Sequence, residues 1–234
     1  RPLGGTHYYN RLSQRAISAL SVATAEGALY EVDTRLRPSG TQGPPAASLD
    51  SFERYQREQA WTWEHMALCR ARPLYGSPEA RKALCAVIGE VLKAPRDQDK
   101  LRADVLDMRA TIAQHKAPKG PLDVKLARGG LVDLEFIVHF IQLREGKGFR
   151  PDLADAIREL ALPLGEAHDV LTRFLVAARL LAPDSQVPCA AACMALVRAC
   201  GYEDWNTLEA GLSAARAQVA AAWHEAFGET LETT

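Results

Sequence analysis

The chain contains no apolar run approaching the 18 or so residues that a membrane span requires, and its first residues form no apolar secretory segment. No membrane partner is therefore expected, and the setting expected is the cytoplasm. A charge excess is also missing: 28 Lys and Arg against 29 Asp and Glu leave a net charge of -1. Nucleic acid is not an expected partner on that balance, and any polyanion must be met locally, at clustered Arg or Lys. The five cysteines (Cys69, Cys85, Cys189, Cys193 and Cys200) are odd in number and fall in apolar helical patterns, so reduced core thiols are expected rather than a disulfide framework. Cys189, Cys193 and Cys200 have no fourth Cys or His at finger-like spacing, which argues against zinc. Repeats and low-complexity tracts are lacking too. Residues 1–26 contain no Asp at all, an absence that matters below.

What is present is the composition of a globular protein, 47% hydrophobic and 24% charged over 234 residues, enough for one large or two small cores. The stretch 27–43 organises the rest. Leu29 to Leu36 alternates apolar and polar residues, which predicts a half-buried strand. Leu29, Glu31, Asp33 and Arg35 share one face, and Tyr30, Val32, Thr34 and Leu36 the other. Pro38, Gly40 and Gly43 end the strand in a turn-rich loop able to approach a phosphate closely. A carboxylate beside Arg35 and Arg37 suits metal-assisted phosphoryl transfer, the acid holding a divalent cation and the guanidinium groups neutralising phosphate oxygens. The same residues also read as an Asp–Arg ladder on a solvent-facing strand.

Elsewhere the pattern is helical. Helices are predicted from about His7 to Ala25, from an N-cap at Ser48 to about Arg70, from Ser77-Pro78 to Leu92, and from Asp99 to His115. Asp97-Gln98-Asp99, the only Asp-x-Asp, follows Pro95 and reads as a helix N-cap. Trp61 and Trp63 at helical spacing are read as packing residues in preference to a base-stacking platform. Arg70 and Arg72 are candidates for an ion pair with Glu64 or for a phosphate. Pro118, Gly120 and Pro121 form a linker. Leu122 to Leu126 then alternates briefly like a strand, Gly129-Gly130 permits unusual backbone angles, and an apolar helix is predicted over Leu131 to Leu143. Its N-terminus, with Lys125 and Arg128 nearby, is a candidate anion site. Asp133 and Glu135 lie in its first turns, about 200° apart around the axis, so they cannot face one site together. Further helices are predicted near Asp152 to Leu160, Gly165 to Ala182, Pro188 to Cys200 and Trp205 to Phe227, joined by short loops in an up-and-down arrangement.

Tyr30-Glu31-Val32-Asp33-x-Arg35-Leu36-Arg37-Pro38-Ser39-Gly40, with Ala60-Trp61-Thr62-Trp63-Glu64-His65, Arg70-Ala71-Arg72 and the segment Asp123 to Ile137, resembles the bacterial glutamine synthetase adenylyltransferase family. The motifs extend from about Tyr8 to Phe140, and jointly they are specific. The resemblance implies a mainly α chain: the remnant of a nucleotidyltransferase α/β domain over 1–47, a helical connection over 48–117, and an all-α helical bundle over 118–234. It implies an enzyme that transfers AMP from ATP to a tyrosine of glutamine synthetase with Mg²⁺, with a PII regulatory protein as a second partner. In that superfamily a Gly-Ser turn and an Asp-x-Asp strand precede a third Asp. Asp33 matches the third, as metal ligand and catalytic residue, while the first two are absent from residues 1–26. Arg35, Arg37, Lys125 and Arg128 are then the expected phosphate contacts, and Glu135 the residue expected to orient the attacking phenol. The quoted motifs look like the adenylylating, C-terminal half. Because the chain starts at Arg1 and lacks two of three carboxylates, an inactive fragment is expected. A non-catalytic module docking glutamine synthetase or a PII protein, or part of the deadenylylating half, is the alternative.

Overall fold

Ten α-helices and one short 3-10 turn make up the regular structure of the computed structural model, which describes residues 4–28 and 30–231; among these there is no strand. The chain divides into two compact units, Arg1–Leu68 with Arg72–Leu92 and Cys69–Ala71 with Lys93–Thr234. The division falls within the segment 48–117.

The first unit begins with α1 (Gly5–Ser21), shorter than predicted because Val22 turns extended and Thr24 to Gly27 closes a tight turn. None of its side chains is buried. The strand predicted over Leu29 to Leu36 is not formed. Leu29 lies outside the described residues, and from Tyr30 to Arg35 the chain has no regular structure and no ladder, Tyr30 N–H bonding instead to the Leu20 carbonyl at 3.1 Å. Alternation marks residues able to line a sheet, but a strand exists only where a neighbouring strand takes its backbone groups.

A single helix from Ser48 to Arg70 is likewise corrected to two, α2 (Leu49–Glu58) and α3 (Thr62–Leu68). Ser48 caps α2 as predicted, its hydroxyl accepting the Ser51 N–H. The break at Gln59 to Trp61 has a cause within the sequence. Glu64 turns back to accept the Trp61 N–H at 2.9 Å, the reciprocal half of a capping box, and so starts a new helix. The helix α4 (Pro78–Lys93) follows, with Ser77 accepting the Ala80 N–H. Trp61 and Trp63, expected to pack, are both exposed.

The second unit opens with α5 (Gln98–His115), and Asp97 is its N-cap, accepting the Lys100 N–H at 2.9 Å. Leu122 to Leu126 forms turns rather than the brief strand its alternation suggested. The helices α6 (Leu131–Glu145), α7 (Leu153–Glu159), α8 (Gly165–Leu181), α9 (Ala190–Cys200) and α10 (Trp205–Phe227) complete it. α6 lies at the centre, packed by α5, α7, α8 and α10, and α8 packs on α9 and α10. Leu134, Val138, Phe174, Leu196 and Leu208 are fully enclosed, and Phe140, Phe227 and Trp223 stack in series. Asp204 starts α10 with a full capping box to Thr207. Of the cysteines expected in the core, Cys69 and Cys200 are buried, whereas Cys85 and Cys189 are exposed and Cys193 half-buried.

Candidate functional site

In the first unit Asp33 and Arg35 come together. The Arg35 guanidinium forks the carboxylate, Nε lying 3.0 Å from both oxygens and Nη2 2.5 Å from Oδ2, while the Arg35 backbone N–H also donates to Oδ1 at 2.9 Å. These bonds favour the ionised acid and hold its pKa down to about 2. Both groups are exposed, so the pair is available to exchange partners rather than locked in place.

Arg37 does something different. Its guanidinium donates to the carbonyls of Thr34 (2.5 Å), Gly43 (3.1 Å) and Thr41 (3.3 Å) and to the Thr34 hydroxyl (2.9 Å). The side chain expected to meet a phosphate is spent on building the Pro38 to Gly43 loop. A Cβ on Gly43 would lie 1.9 Å from the Pro38 carbonyl oxygen, so only glycine closes that loop. Beside it in sequence, Tyr55 O–H donates to Glu64 at 2.9 Å, and burial together with that carboxylate pushes the Tyr55 pKa up. Glu64 is therefore taken by Tyr55 and Trp61, not by Arg70 or Arg72.

In the second unit the segment before α6 is tied down by its own atoms. Asp123 is buried and accepts backbone N–H groups from Lys119, Lys125 and Leu126. The amides of Leu131 and Val132, at the start of α6, donate to the Val124 and Lys125 carbonyls at 2.9 and 3.1 Å. Gly129 N–H donates to Asp133 at 2.7 Å. These donors of the expected anion site are thus used internally, Leu131 and Val132 by backbone carbonyls and Gly129 by the protein's own Asp133. Gly130 is fixed by close approach, since a Cβ there would meet the Val124 oxygen at 2.4 Å.

Asp133 also pairs with Arg109, Nε to Oδ1 at 2.5 Å, with both side chains almost wholly enclosed at 0% and 2% exposure. Arg109 shares the buried stripe of α5 with Leu101 and Val105. An Arg in such a stripe and an Asp in a helix buried on most sides are the signal of a buried pair.

Glu135, on the other side of α6 from Asp133 as its spacing required, is half-buried and 3.6 Å from Arg70. Next along α6, His139 is buried, with Nδ1 2.8 Å from the Gln142 amide oxygen, and burial lowers its pKa. Lys125 is exposed. Arg128 is half-buried, and its nearest carboxylate, Asp133, is 3.9 Å away. Asp33, Arg35 and Arg37 belong to the first unit; Lys125, Arg128 and Glu135 belong to the second.

Mg²⁺ needs near-octahedral oxygen ligation. Asp33 offers one carboxylate, already forked by Arg35, and among the described residues no group of three or more His, Cys, Asp or Glu is placed to hold a metal ion. The residues described do not form a Mg²⁺ site by themselves.

Comparison with known proteins gives this geometry its context. The family model of glutamate-ammonia ligase adenylyltransferase matches residues 1–86, the part that carries Asp33, Arg35 and the Arg37 loop. The chain is 47% identical over 174 residues to the bifunctional glutamine synthetase adenylyltransferase/adenylyl-removing enzyme of Agrobacterium fabrum, covering 72% of this chain and 18% of that protein. It is 54% identical over 143 residues to the protein of the same name from Brucella suis, covering 61% of this chain and 14% of that protein. The likeness to the Rhodopseudomonas palustris protein, 39% over 249 residues, takes in 97% of this chain and 25% of that protein. The chain thus spans between 14% and 25% of the length of these curated relatives. With the motifs around Asp33 inside the matched residues and the likeness running through both units, the chain belongs to the glutamate-ammonia ligase adenylyltransferase family.

Proposed function

We propose that the chain is part of an enzyme that transfers AMP from ATP to a tyrosine of glutamine synthetase, and that it comes from the adenylylating half. The observation that carries this is the Asp33–Arg35 fork beside the Arg37-built loop, inside the residues matched by the family model. The relatives' shared name supplies the substrate class.

In the transfer, the tyrosine phenol oxygen bonds to the α-phosphorus of ATP, the bond to the pyrophosphate oxygen breaks, and the phenol proton leaves. Such chemistry rests on positioning and on charge neutralisation. Arg35 is suited to release Asp33 and take up phosphate charge, because its fork is exposed and matches phosphate oxygens as well as carboxylate. Lys125 supplies a second exposed cation. Arg37 shapes the loop rather than meeting the nucleotide. Glu135, held beside Arg70, is assigned to orient the phenol. No step is assigned to Mg²⁺. The enzyme is placed in the cytoplasm with glutamine synthetase as protein substrate and a PII protein as regulatory partner.

With one candidate metal carboxylate where the superfamily uses three, the chain alone is inactive in this reading. The test is incorporation of labelled AMP into purified glutamine synthetase. The longer parent protein is expected to label it, the 234-residue chain alone is not, and Asp33→Asn in the longer protein abolishes labelling while leaving its thermal unfolding unchanged. Substantial labelling by a folded Asn variant overturns the role of Asp33 and favours a docking module. Labelling by the chain alone overturns the account of its missing carboxylates.

A further inference from the structure

A cavity of about 400 Å³ opens in the second unit between α5, the segment before α6 and the end of α10. Its walls are Leu106, Arg109, Ala110, Arg128 and Trp223, with Glu229 to Leu231 at the rim. Two guanidinium groups, Arg109 and Arg128, stand in this wall. Asp133 is the enclosed carboxylate, and its oxygens are engaged by Arg109 and the Gly129 N–H. Glu229 at the rim lies 3.9 Å from Arg102, which also donates to the Phe227 carbonyl. Arg109, the other guanidinium in the wall, is held by Asp133, and Arg128 is the one that no carboxylate hydrogen-bonds among the described residues. Among the described residues it makes no hydrogen bond through its guanidinium, and its close carboxylate contact is the 3.9 Å approach to Asp133.

The Arg128 side chain is 37% exposed, so its unused donors are open to a ligand that enters the cavity from solvent. The Arg128 pKa is lowered, first by burial and then by repulsion from Arg109, which outweighs the attraction of Asp133 and Glu229. Its backbone is held in place, the Arg128 carbonyl accepting Arg216 Nε–H at 3.0 Å, so the side chain leaves from a fixed point. A second donor without a partner stands in the wall, the indole N–H of Trp223, itself covered from solvent. The first contact is assigned to Arg128 alone.

We infer that this cavity binds a small-molecule oxyanion, a carboxylate or a phosphate monoester, forked by the Arg128 guanidinium. Two parallel N–H to oxygen bonds would satisfy the guanidinium geometrically and set a negative charge directly against it. The site lies within the second unit, and its binding is read without adenylyl transfer.

The chain is titrated with inorganic phosphate and, separately, with acetate, at ionic strength held constant with sodium chloride. The Arg Nε–H and Trp indole resonances are followed by NMR. A saturable shift of the Arg128 resonance is expected with at least one anion, and whichever saturates identifies the class. Arg128→Lys keeps the charge but loses the fork, and should weaken binding by about tenfold; Arg128→Gln should abolish it, with the helical circular dichroism of both variants unchanged. Should the Gln variant not fold, the Lys variant carries the comparison. The proposal is overturned if neither anion saturates the shift, or if the folded variants bind as the parent does. Because no AMP transfer is measured, this outcome is independent of the proposed function.

Discussion

The helices α1 and α6 are of similar length, 17 and 15 residues, and they solve opposite problems. α1 has a clear helical stripe, Tyr8, Leu12, Ala16 and Ala19, yet none of its residues is buried. α6 has apolar residues all round, and twelve of its residues are buried. Periodicity therefore reports what a helix is able to cover, not what covers it. The second lesson is in the polar residues of α6. Asp133, His139 and Gln142 are all enclosed, and each is answered: Asp133 by Arg109 and Gly129, His139 by Gln142, and Gln142 by the Gly148 carbonyl at 2.6 Å. A helix can be buried on every side only if its polar minority is satisfied on every side.

The sharpest way to break this contrast is to remove one half of the enclosed pair. Arg109→Ala leaves the enclosed Asp133 charge with only the Gly129 N–H and the 3.9 Å approach of Arg128, and should destabilise the second unit by about 3–5 kcal/mol. Urea unfolding followed by circular dichroism measures it. Replacing both partners together, Arg109→Met with Asp133→Leu, should recover most of that loss, since a packed apolar pair is often as stable as a buried ion pair. A double variant as unstable as Arg109→Ala would show that the pair is needed for its bonds to Gly129 and the Leu126 carbonyl rather than for charge balance.

Truncation compares the two helices directly. Leu134→Ala removes a fully enclosed side chain and should cost about 2–5 kcal/mol. Leu12→Ala, on a side chain that is 49% exposed, should stay within about 0.5 kcal/mol. Equal costs from the same unfolding experiment would mean that α1 is covered in solution.

A smaller effect is expected at the break between α2 and α3. Glu64→Ala leaves the Tyr55 hydroxyl and the Trp61 N–H without their acceptor, and should destabilise the first unit by about 1–3 kcal/mol. The Tyr55 phenol should then titrate nearer to its ordinary value, because the carboxylate that discourages its ionisation is gone. A spectrophotometric titration of Tyr55 against the Tyr55→Phe background reads this, and an unmoved pKa would leave burial as the sole cause.

These cases also show what the sequence made legible. Helix limits in the second unit were readable because caps are local chemistry: Asp97, Asp152 and Asp204 each accept the N–H three residues on. The strand over Leu29 to Leu36 was not, because alternation is local while pairing requires a partner, and none is found among the described residues. The split of α2 from α3 was written in Glu64, three residues after Trp61, but an uninterrupted helical pattern masked it. At the candidate site, Asp33 and Arg35 were legible as a pair because two residues apart the carboxylate reaches both the backbone N–H and the guanidinium of Arg35. The diversion of Arg37 into its own loop was not, since phosphate oxygens and backbone carbonyls attract the same guanidinium donors. The Arg109–Asp133 pair joins residues 24 apart, a contact that only the packing of α5 on α6 decides.

The smallest effect on folding is expected where the largest effect on function is proposed. Arg35 holds the Asp33 carboxyl at about 2, below its unfolded value. A depressed carboxylate stabilises the fold above the unfolded pKa, near 3.9, and that contribution is lost as pH falls from there through about 2. Any pH dependence owed to this pair is therefore confined to that acid window, and solvent screening at two exposed groups makes it slight. Asp33→Asn should consequently leave the urea midpoint of this chain unchanged from pH 5 to 8, and should flatten its acid limb only below about pH 4. In the longer protein the same substitution is expected to remove AMP transfer. Unfolding curves of the two chains at pH 7 and pH 3, set beside the labelling assay, read both effects. A midpoint that falls at pH 7 would show Asp33 to be a structural residue, and would assign any loss of labelling to the fold instead of to the chemistry.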